Sequence, residues 1–300
     1  MYIAIEAGGT KFVCAYGNSP EQLKERTRIE TRDPESTMQD VIEYIHRVAK
    51  EETLDGIGLA CFGPLSLDRS SESYGSITNT PKLKWKDFPV VTVLEDEFHV
   101  PVGFDTDVNA AALGEYRWGA GKGCGSLLYI TVGTGVGLGA VLDGIPVHGA
   151  MHPEAGHILL PHNLEKDPFE GVCPYHKGCF EGLASGPSLS KRWGVESATD
   201  LPPDHQAWDL EANYLAMAMM NYTLCYSPHR IVLGGGVMQS PGLIEKTRIK
   251  MGLLLADYVK NSSVDQLDTY LVPPGLGQNS GIVGAWVLAD MESHYLKQGV

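Results

Sequence analysis

Cys173, His176 and Cys179 stand three residues apart in "GVCPYHKGCFEG" (171–182), in a chain of 300 residues with only 6 cysteines. Two thiols and an imidazole are soft ligands, and tetrahedral zinc asks for a fourth. His157, upstream across a loop, is the candidate, with His152 and His162 as competitors. The alternative is that the cysteines are plain buried apolar residues. A set of two Cys and two His leaves no position open for water, so such a metal is structural rather than catalytic.

Three glycine clusters offer backbone N–H groups unobstructed by Cβ atoms. "EAGGTK" (6–11) follows a strand pattern, and Thr10 and Lys11 add a hydroxyl and a positive charge. Such a turn can wrap a phosphate, although it has neither Walker nor dinucleotide spacing. "TVGTGVGLG" (131–139) makes the same offer; each turn could equally be a tight hairpin whose glycines adopt φ > 0. "RIVLGGGVM" (230–238) sits between a strand and a helix, the edge where open α/β sheets hold ligands. An adenosine against Gly234–Gly236 fits there, and so does a simple bulge or cap.

"FDTDVNAAALGE" (104–115) places Asp105 and Asp107 past a strand and beside a helix start. A carboxylate there can take a proton from a hydroxyl, orient Mg²⁺ or cap the helix. Capping accounts for one of the two. Asp107 is the better placed for chemistry, because Asn109 can bind the same substrate.

The elements that position these groups follow from periodicity. Strands are expected at Tyr2–Glu6, Phe12–Tyr16, Gly56–Cys61, Val102–Phe104, Leu127–Val132, Gly137–Leu142, Arg230–Leu233 and Tyr270–Val272. Helices are expected over Thr37–Lys50, Val108–Tyr116, His205–Cys225, Leu243–Val259 and Ser280–Leu296, with an Asp-Gly turn at Asp143–Gly144. Strands alternating with helices mean an α/β protein, and the repeated strand–glycine-turn–strand plan suggests a duplicated domain.

At 300 residues two lobes are expected. Acidic residues outnumber basic ones 37 to 23, a formal charge of −14, which argues against nucleic acid as a partner. Lys82, Lys84 and Lys86 read as a solvated loop. The uncharged stretch Gly123–Leu142 carries six glycines, which suits two strands better than a membrane span. No secretory leader is evident, so a cytoplasmic protein with reduced cysteines is expected.

With these pieces in order, the chain resembles the ROK family of sugar kinases, and among them the bacterial zinc-containing fructokinases. The residues that carry the resemblance are "GGTK" (8–11), "DVNAAALGE" (107–115), "TVGTGVGLG" (131–139), "PEAGH" (153–157), the Cys173–Glu181 stretch and "LGGGV" (233–237). The resemblance implies an α/β, actin/hexokinase-type (ribonuclease H-like) ATPase fold with two lobes around a central cleft. An N-terminal lobe, 1–115, is rejoined by the C-terminal helix 284–300. The C-terminal lobe, 116–283, carries a zinc-binding insertion at 157–180.

The resemblance also implies an ATP-dependent hexose kinase using Mg²⁺, most similar to enzymes that turn D-fructose into fructose 6-phosphate and release ADP. Asp107 would be the general base, with Asn79, Asn109, Glu154 and His157 on the sugar. Gly8, Gly9, Thr10, Lys11, Thr131, Gly133 and Thr134 would line the phosphates. Gly186, Pro187, Gly234 and Gly235 would complete the nucleotide wall. Structural zinc would take His157, Cys173, His176 and Cys179, with His176 standing where the family commonly has a third cysteine. Glu6 likewise stands where the family usually has Asp in the first phosphate turn. Mannose, glucose or N-acetylmannosamine kinases share the framework, and so do sugar-sensing repressors, whose N-terminal helix-turn-helix has no counterpart before the turn at residue 8. A kinase weakened by Glu6 is a third reading. A homodimer is the family expectation; neither a membrane nor a nucleic acid is an expected partner.

Overall fold

Buried residues at four of the six positions of "YIAIEA", on both sides of the alternation, require a strand covered on both faces. This strand, β1 (Tyr2–Ala7), turns at Gly8–Gly9 into β2 (Lys11–Gly17), and β3 (Lys24–Glu30) follows. The computed structural model describes residues 1–80 and 82–297; Pro81 and the last three positions of the expected segment 284–300 lie outside the described residues. The chain continues through α1 (Pro34–Val48), β4 (Gly56–Cys61), α2 (Val90–Phe98), β5 (Val102–Thr106) and α3 (Asp107–Trp118). Next come β6 (Ser126–Val132), β7 (Val136–Leu142), β8 (Ile145–Pro146), α4 (Phe180–Ala184), α5 (Gly186–Trp193) and α6 (Ala207–Tyr226). β9 (Arg230–Gly234), α7 (Leu243–Leu255), α8 (Leu267–Tyr270), β10 (Leu271–Val272) and α9 (Ser280–Lys297) complete it.

Two compact units result. The first holds Met1–Gly119, Ile145–Pro153 and the C-terminal segment from Gln278; the second holds Ala120–Gly144 and Glu154–Gly277. An unbroken second lobe over 116–283 was expected; 116–119 and 278–283 group with the first unit, and so does Ile145–Pro153. The reason for the last is side-chain chemistry: His148 binds Asp105, and His152 accepts a hydrogen bond from Leu65 N, both in the first unit.

In the first unit the sheet runs β3–β2–β1–β4–β5. β1 pairs antiparallel with β2 and parallel with β4, which pairs parallel with β5. In the second unit β10, β9, β6 and β7 lie side by side in that order; β6 pairs antiparallel with β7 and parallel with β9. The hairpin-plus-parallel-strand plan therefore occurs twice, so the echo in the sequence extends beyond the two hairpins.

Packing in the first unit centres on Trp85, 1% exposed, whose ring meets Phe12, Phe62 and Phe88 at centroid separations of 5.5, 5.7 and 5.6 Å. Each such pair contributes roughly 0.5–1.5 kcal/mol beyond its buried area. The indole N–H donates to Arg32 O at 2.9 Å, so this buried donor is satisfied.

Several element boundaries move. α1 begins at Pro34, because Asp33 caps it by accepting from Ser36 N. β5 extends to Thr106, so Asp105 lies within the strand opposite Ala60 and not past its end. α7 stops at Leu255, where Ala256 and Asp257 take left-handed φ of 48° and 60°, rather than running to Val259. Tyr270 ends a short helix instead of starting a strand. β3, α2, α4 and α5 had no counterpart in the periodicity. At Asp143–Gly144 both residues have positive φ, as an Asp-Gly hairpin requires. Gly123–Leu142 forms β6 and β7, and no helix among the described residues is long and apolar enough to cross a membrane.

Candidate active site

In the first unit, β5 runs directly into α3 and sets two carboxylates at the junction. The cap of α3 is Thr106, whose hydroxyl oxygen accepts from Asn109 N at 3.1 Å, so neither aspartate caps the helix as expected. Asp105 is 2% exposed and fully engaged: Oδ1 accepts from Asn109 Nδ2 and from Thr106 N, each at 2.7 Å. Its Oδ2 accepts from His148 Nε2 at 2.9 Å. That bond raises the His148 pKa above the ordinary histidine value, while burial opposes it.

Asp107, by contrast, makes only a local bond among the described residues: Oδ1 accepts from Val108 N at 2.9 Å. Burial pushes its carboxyl up to about 6. A carboxylate poised there can accept a hydroxyl proton near neutral pH. Beside it, Asn109 is 0% exposed, and its Oδ1 has no partner among the described residues. A buried acceptor left open is costly, and a ligand hydroxyl would satisfy it. Glu6, at the end of β1, is also displaced, up to about 7, first by burial and then by the charge of Asp107, with Lys11 and Arg26 opposing.

The first glycine turn is closed by Gly8 N donating to Lys11 O at 3.0 Å. Thr31 braces it, its hydroxyl donating to Gly8 O at 2.8 Å and its N–H to Thr10 O at 3.0 Å. Thr10 and Lys11 are exposed. Lys84 and Lys86 are exposed, as a solvated loop requires, while Lys82 is half-buried and its Cε stands 2.9 Å from where a Cβ on Gly9 would be. Asn79 lies exposed on the loop before α2, where neighbouring Thr78 is tied to Pro64 O.

In the second unit, the turn between β6 and β7 is held by Gly133 N donating to Gly135 O and by Glu181, whose Oε2 accepts from Val136 N at 3.0 Å. Gly186 N donates to Gly133 O at 2.7 Å, fastening the start of α5 to the same turn. These segments line a cavity of about 1220 Å³ together with Gly236, Val237 and Trp208. Gly133, Thr134, Gly186 and Pro187 all line it, whereas Thr131, Gly234 and Gly235 do not. Gly235 has φ of 96°, and a Cβ there would collide with the Val132 backbone. Gly236 faces no atom within 4 Å, so its missing side chain leaves the cavity wall bare.

Glu154 is exposed and precedes the short turn Ala155–His157. That turn delivers His157 to the cysteines: its Nδ1 lies 3.7 Å from Cys173 Sγ and 3.5 Å from Cys179 Sγ. His176 Nδ1 lies 3.8 Å from Cys173 Sγ, and the four ligand atoms all fall within 4.8 Å of one another. Zinc bond lengths in a tetrahedron place ligand atoms about 3.3–3.8 Å apart, so the donor set fits a closed zinc site. The two competitors are elsewhere. His152 is occupied by Leu65 N, with burial lowering its pKa, and His162 Nε2 faces the carbonyl of Asp167 at 3.0 Å. Cys179 also caps α4, its sulfur accepting from Gly182 N.

Three contributors escaped the sequence reading: His148, Lys82 and Glu181. His148 is 43 residues from Asp105 and Glu181 45 from Val136, separations at which local spacing carries no signal.

The "ROK family" model matches residues 2–292. A fructokinase of Zymomonas mobilis is 42% identical over 294 residues, covering 96% of both chains. One of Pediococcus pentosaceus is 42% identical over 287 residues, again covering 96% of both. Among solved structures, a ROK hexokinase from Thermus thermophilus aligns with a TM-score of 0.78 at 27% identity, over 98% of this chain and 99% of that one. The fold is accordingly the actin/hexokinase-type α/β ATPase fold. Full-length similarity, shared fold and the motifs at 8–11, 107–115 and 131–139 together make this chain a member of the ROK family.

Proposed function

We propose that this protein transfers the γ-phosphoryl group of ATP to a hexose, with D-fructose as acceptor at O6. The observation that carries the reading is the division of labour between two neighbouring acids. Asp105 is saturated with hydrogen bonds, while Asp107 has none from a side chain among the described residues and titrates near 6. Asp107 takes the proton from the attacking hydroxyl as that oxygen bonds to the γ-phosphorus, and ADP leaves with the bridging oxygen. Catalysis is mainly positioning and charge neutralisation.

Asn109 offers its open Oδ1 to a sugar hydroxyl, and Asn79, Glu154 and His157 are read as further sugar contacts. Gly8–Lys11, Thr131, Gly133 and Thr134 are read as phosphate contacts, and the cavity at Gly186, Pro187 and Gly236 as the adenosine site, with Gly234 and Gly235 shaping the strand end behind it. Glu6 and Asp107 supply hard carboxylate oxygens that suit hydrated Mg²⁺, which would neutralise charge on the transferred phosphoryl. His157, Cys173, His176 and Cys179 would hold zinc, which would fix the loop and the orientation of His157. The catalytic assignment keeps the general base on the first unit and the adenosine cavity on the second. A cytoplasmic homodimer completes the reading, and sedimentation velocity tests the assembly.

The deciding experiment couples ADP release to fructose, glucose, mannose and N-acetylmannosamine in parallel. Fructose should give the highest kcat/KM. Glucose exceeding it tenfold rejects the acceptor, and absence of turnover with any sugar rejects the kinase.

A further inference from the structure

We propose that Gly281 is a positioning residue: its bare α-carbon fixes where the Glu6 carboxylate lies, and the two positions act as one length-matched unit. The inference rests on the reading of Glu6 as the acidic group of the first phosphate turn.

A Cβ at 281 would stand 2.5 Å from Glu6 Oε1, 2.6 Å from Cδ and 3.1 Å from Oε2. Those separations lie well inside the roughly 3.5–4.0 Å optimum for non-bonded contact, so something must yield. The first turn of α9 cannot. Ser280 Oγ donates to Glu115 Oε1 at 2.7 Å, with Glu115 buried on α3. A Cβ on Gly114 would meet Ser280 O at 2.6 Å and Gly284 N at 2.9 Å, and one on Gly284 would collide with Ala110 O. Further along α9, Gly58 of β4 and Gly103 of β5 touch the backbone at Ala285 and Leu288 so closely that a Cβ on either would collide with a carbonyl there. Helix and sheet thus meet backbone to backbone, with no side chain to give way.

The backbone of Glu6 is equally fixed, paired with Val13 on one side and Ala60 on the other. What can move is the Glu6 side chain, which rotates about three torsions. A methyl group at 281 therefore leaves the fold in place and turns the carboxylate out of its present position. Conversely, one methylene fewer at position 6 withdraws the carboxyl by about 1.5 Å and frees the space that methyl needs.

The test is a double-mutant cycle on the full chain with Gly281→Ala, Glu6→Asp and both together, reading kcat, KM for ATP and fructose, and Tm. Gly281→Ala should keep its far-UV spectrum, lower kcat at least tenfold and leave the fructose KM within twofold. The double variant should turn over no more slowly than Glu6→Asp alone, so that the tenfold loss disappears once the side chain is short. A double variant tenfold worse than Glu6→Asp, or a Gly281→Ala enzyme with wild-type kcat, overturns the proposal. If Gly281→Ala proves unstable, Glu6→Asp must restore its Tm; additive Tm losses overturn the pairing too. Failure of the kinase reading is distinguishable, because it appears as absent turnover in the wild type while the Tm cycle still reports on the pair.

Discussion

Asp105 Oδ2 lies 2.9 Å from His148 Nε2, and the same carboxylate takes its other side-chain bond from Asn109. Two aspartates separated by one residue consequently differ in their surroundings. Asp105, the more buried of the two, orients a side chain on each flank, whereas Asp107 accepts only from Val108 N among the described residues and is the one proposed for proton transfer.

Replacing Asp107 with Asn should therefore lower kcat by roughly 10²–10⁴-fold, the usual span for a general base. The shape is conserved, so Tm at neutral pH should not fall. Steady-state ADP release and a thermal melt check both halves. Turnover near the wild-type value in a folded variant removes Asp107 from the mechanism.

The acid limb of kcat/KM should bend near pH 6, where burial has placed Asp107, and fall about tenfold per unit below it. Stability should run the other way. Glu6 and Asp107 titrate near 7 and 6 when folded, against ordinary values of 4.5 and 3.8. Their stabilising contribution is present below about pH 4 and is lost as pH rises through those folded values. Glu6→Gln should accordingly raise Tm most above pH 7, with the gain shrinking toward pH 4.5. Melts across that range test the sign.

Cys179→Ser should cut bound zinc from about one per chain to near zero, as read by elemental analysis, and lower Tm. Because His157 would lose its anchor, the fructose KM should rise more than the ATP KM. Equal zinc content in the variant and wild type rejects the ligand set.

Gly235→Ala should destabilise by about 2 kcal/mol or more, since the new side chain meets both a left-handed backbone and the Val132 carbonyl. Gly236→Ala, which faces open space, should leave Tm within a degree or so and act on ATP affinity instead. Melting both variants separates the two glycines.

Much of this architecture was legible from local pattern. β1, β2, β4, β6, β7 and β9 are buried runs bounded by glycine, and such runs need no distant information. β3 was invisible because "KERTRIE" sits at the sheet edge, with Ile29 its one buried residue. α7 was overdrawn because Ala256 ends it in a left-handed conformation without the glycine that normally announces one. In the site, the four members of the Cys/His cluster could be named in advance. The partners of Asp105, the brace from Glu181 and the approach of Lys82 to Gly9 depend on tertiary packing that no spacing rule encodes.

The seating of α9 on β1, β4 and β5 has a consequence for biosynthesis. Everything the second unit needs has left the ribosome by Gly277, whereas the first still waits for the segment from Gln278. The first unit, whose strands are made before the second, is thus completed after it. Until that helix emerges, a nascent chain must carry the parallel strands β1, β4 and β5 without it, glycine-floored and ready to receive it.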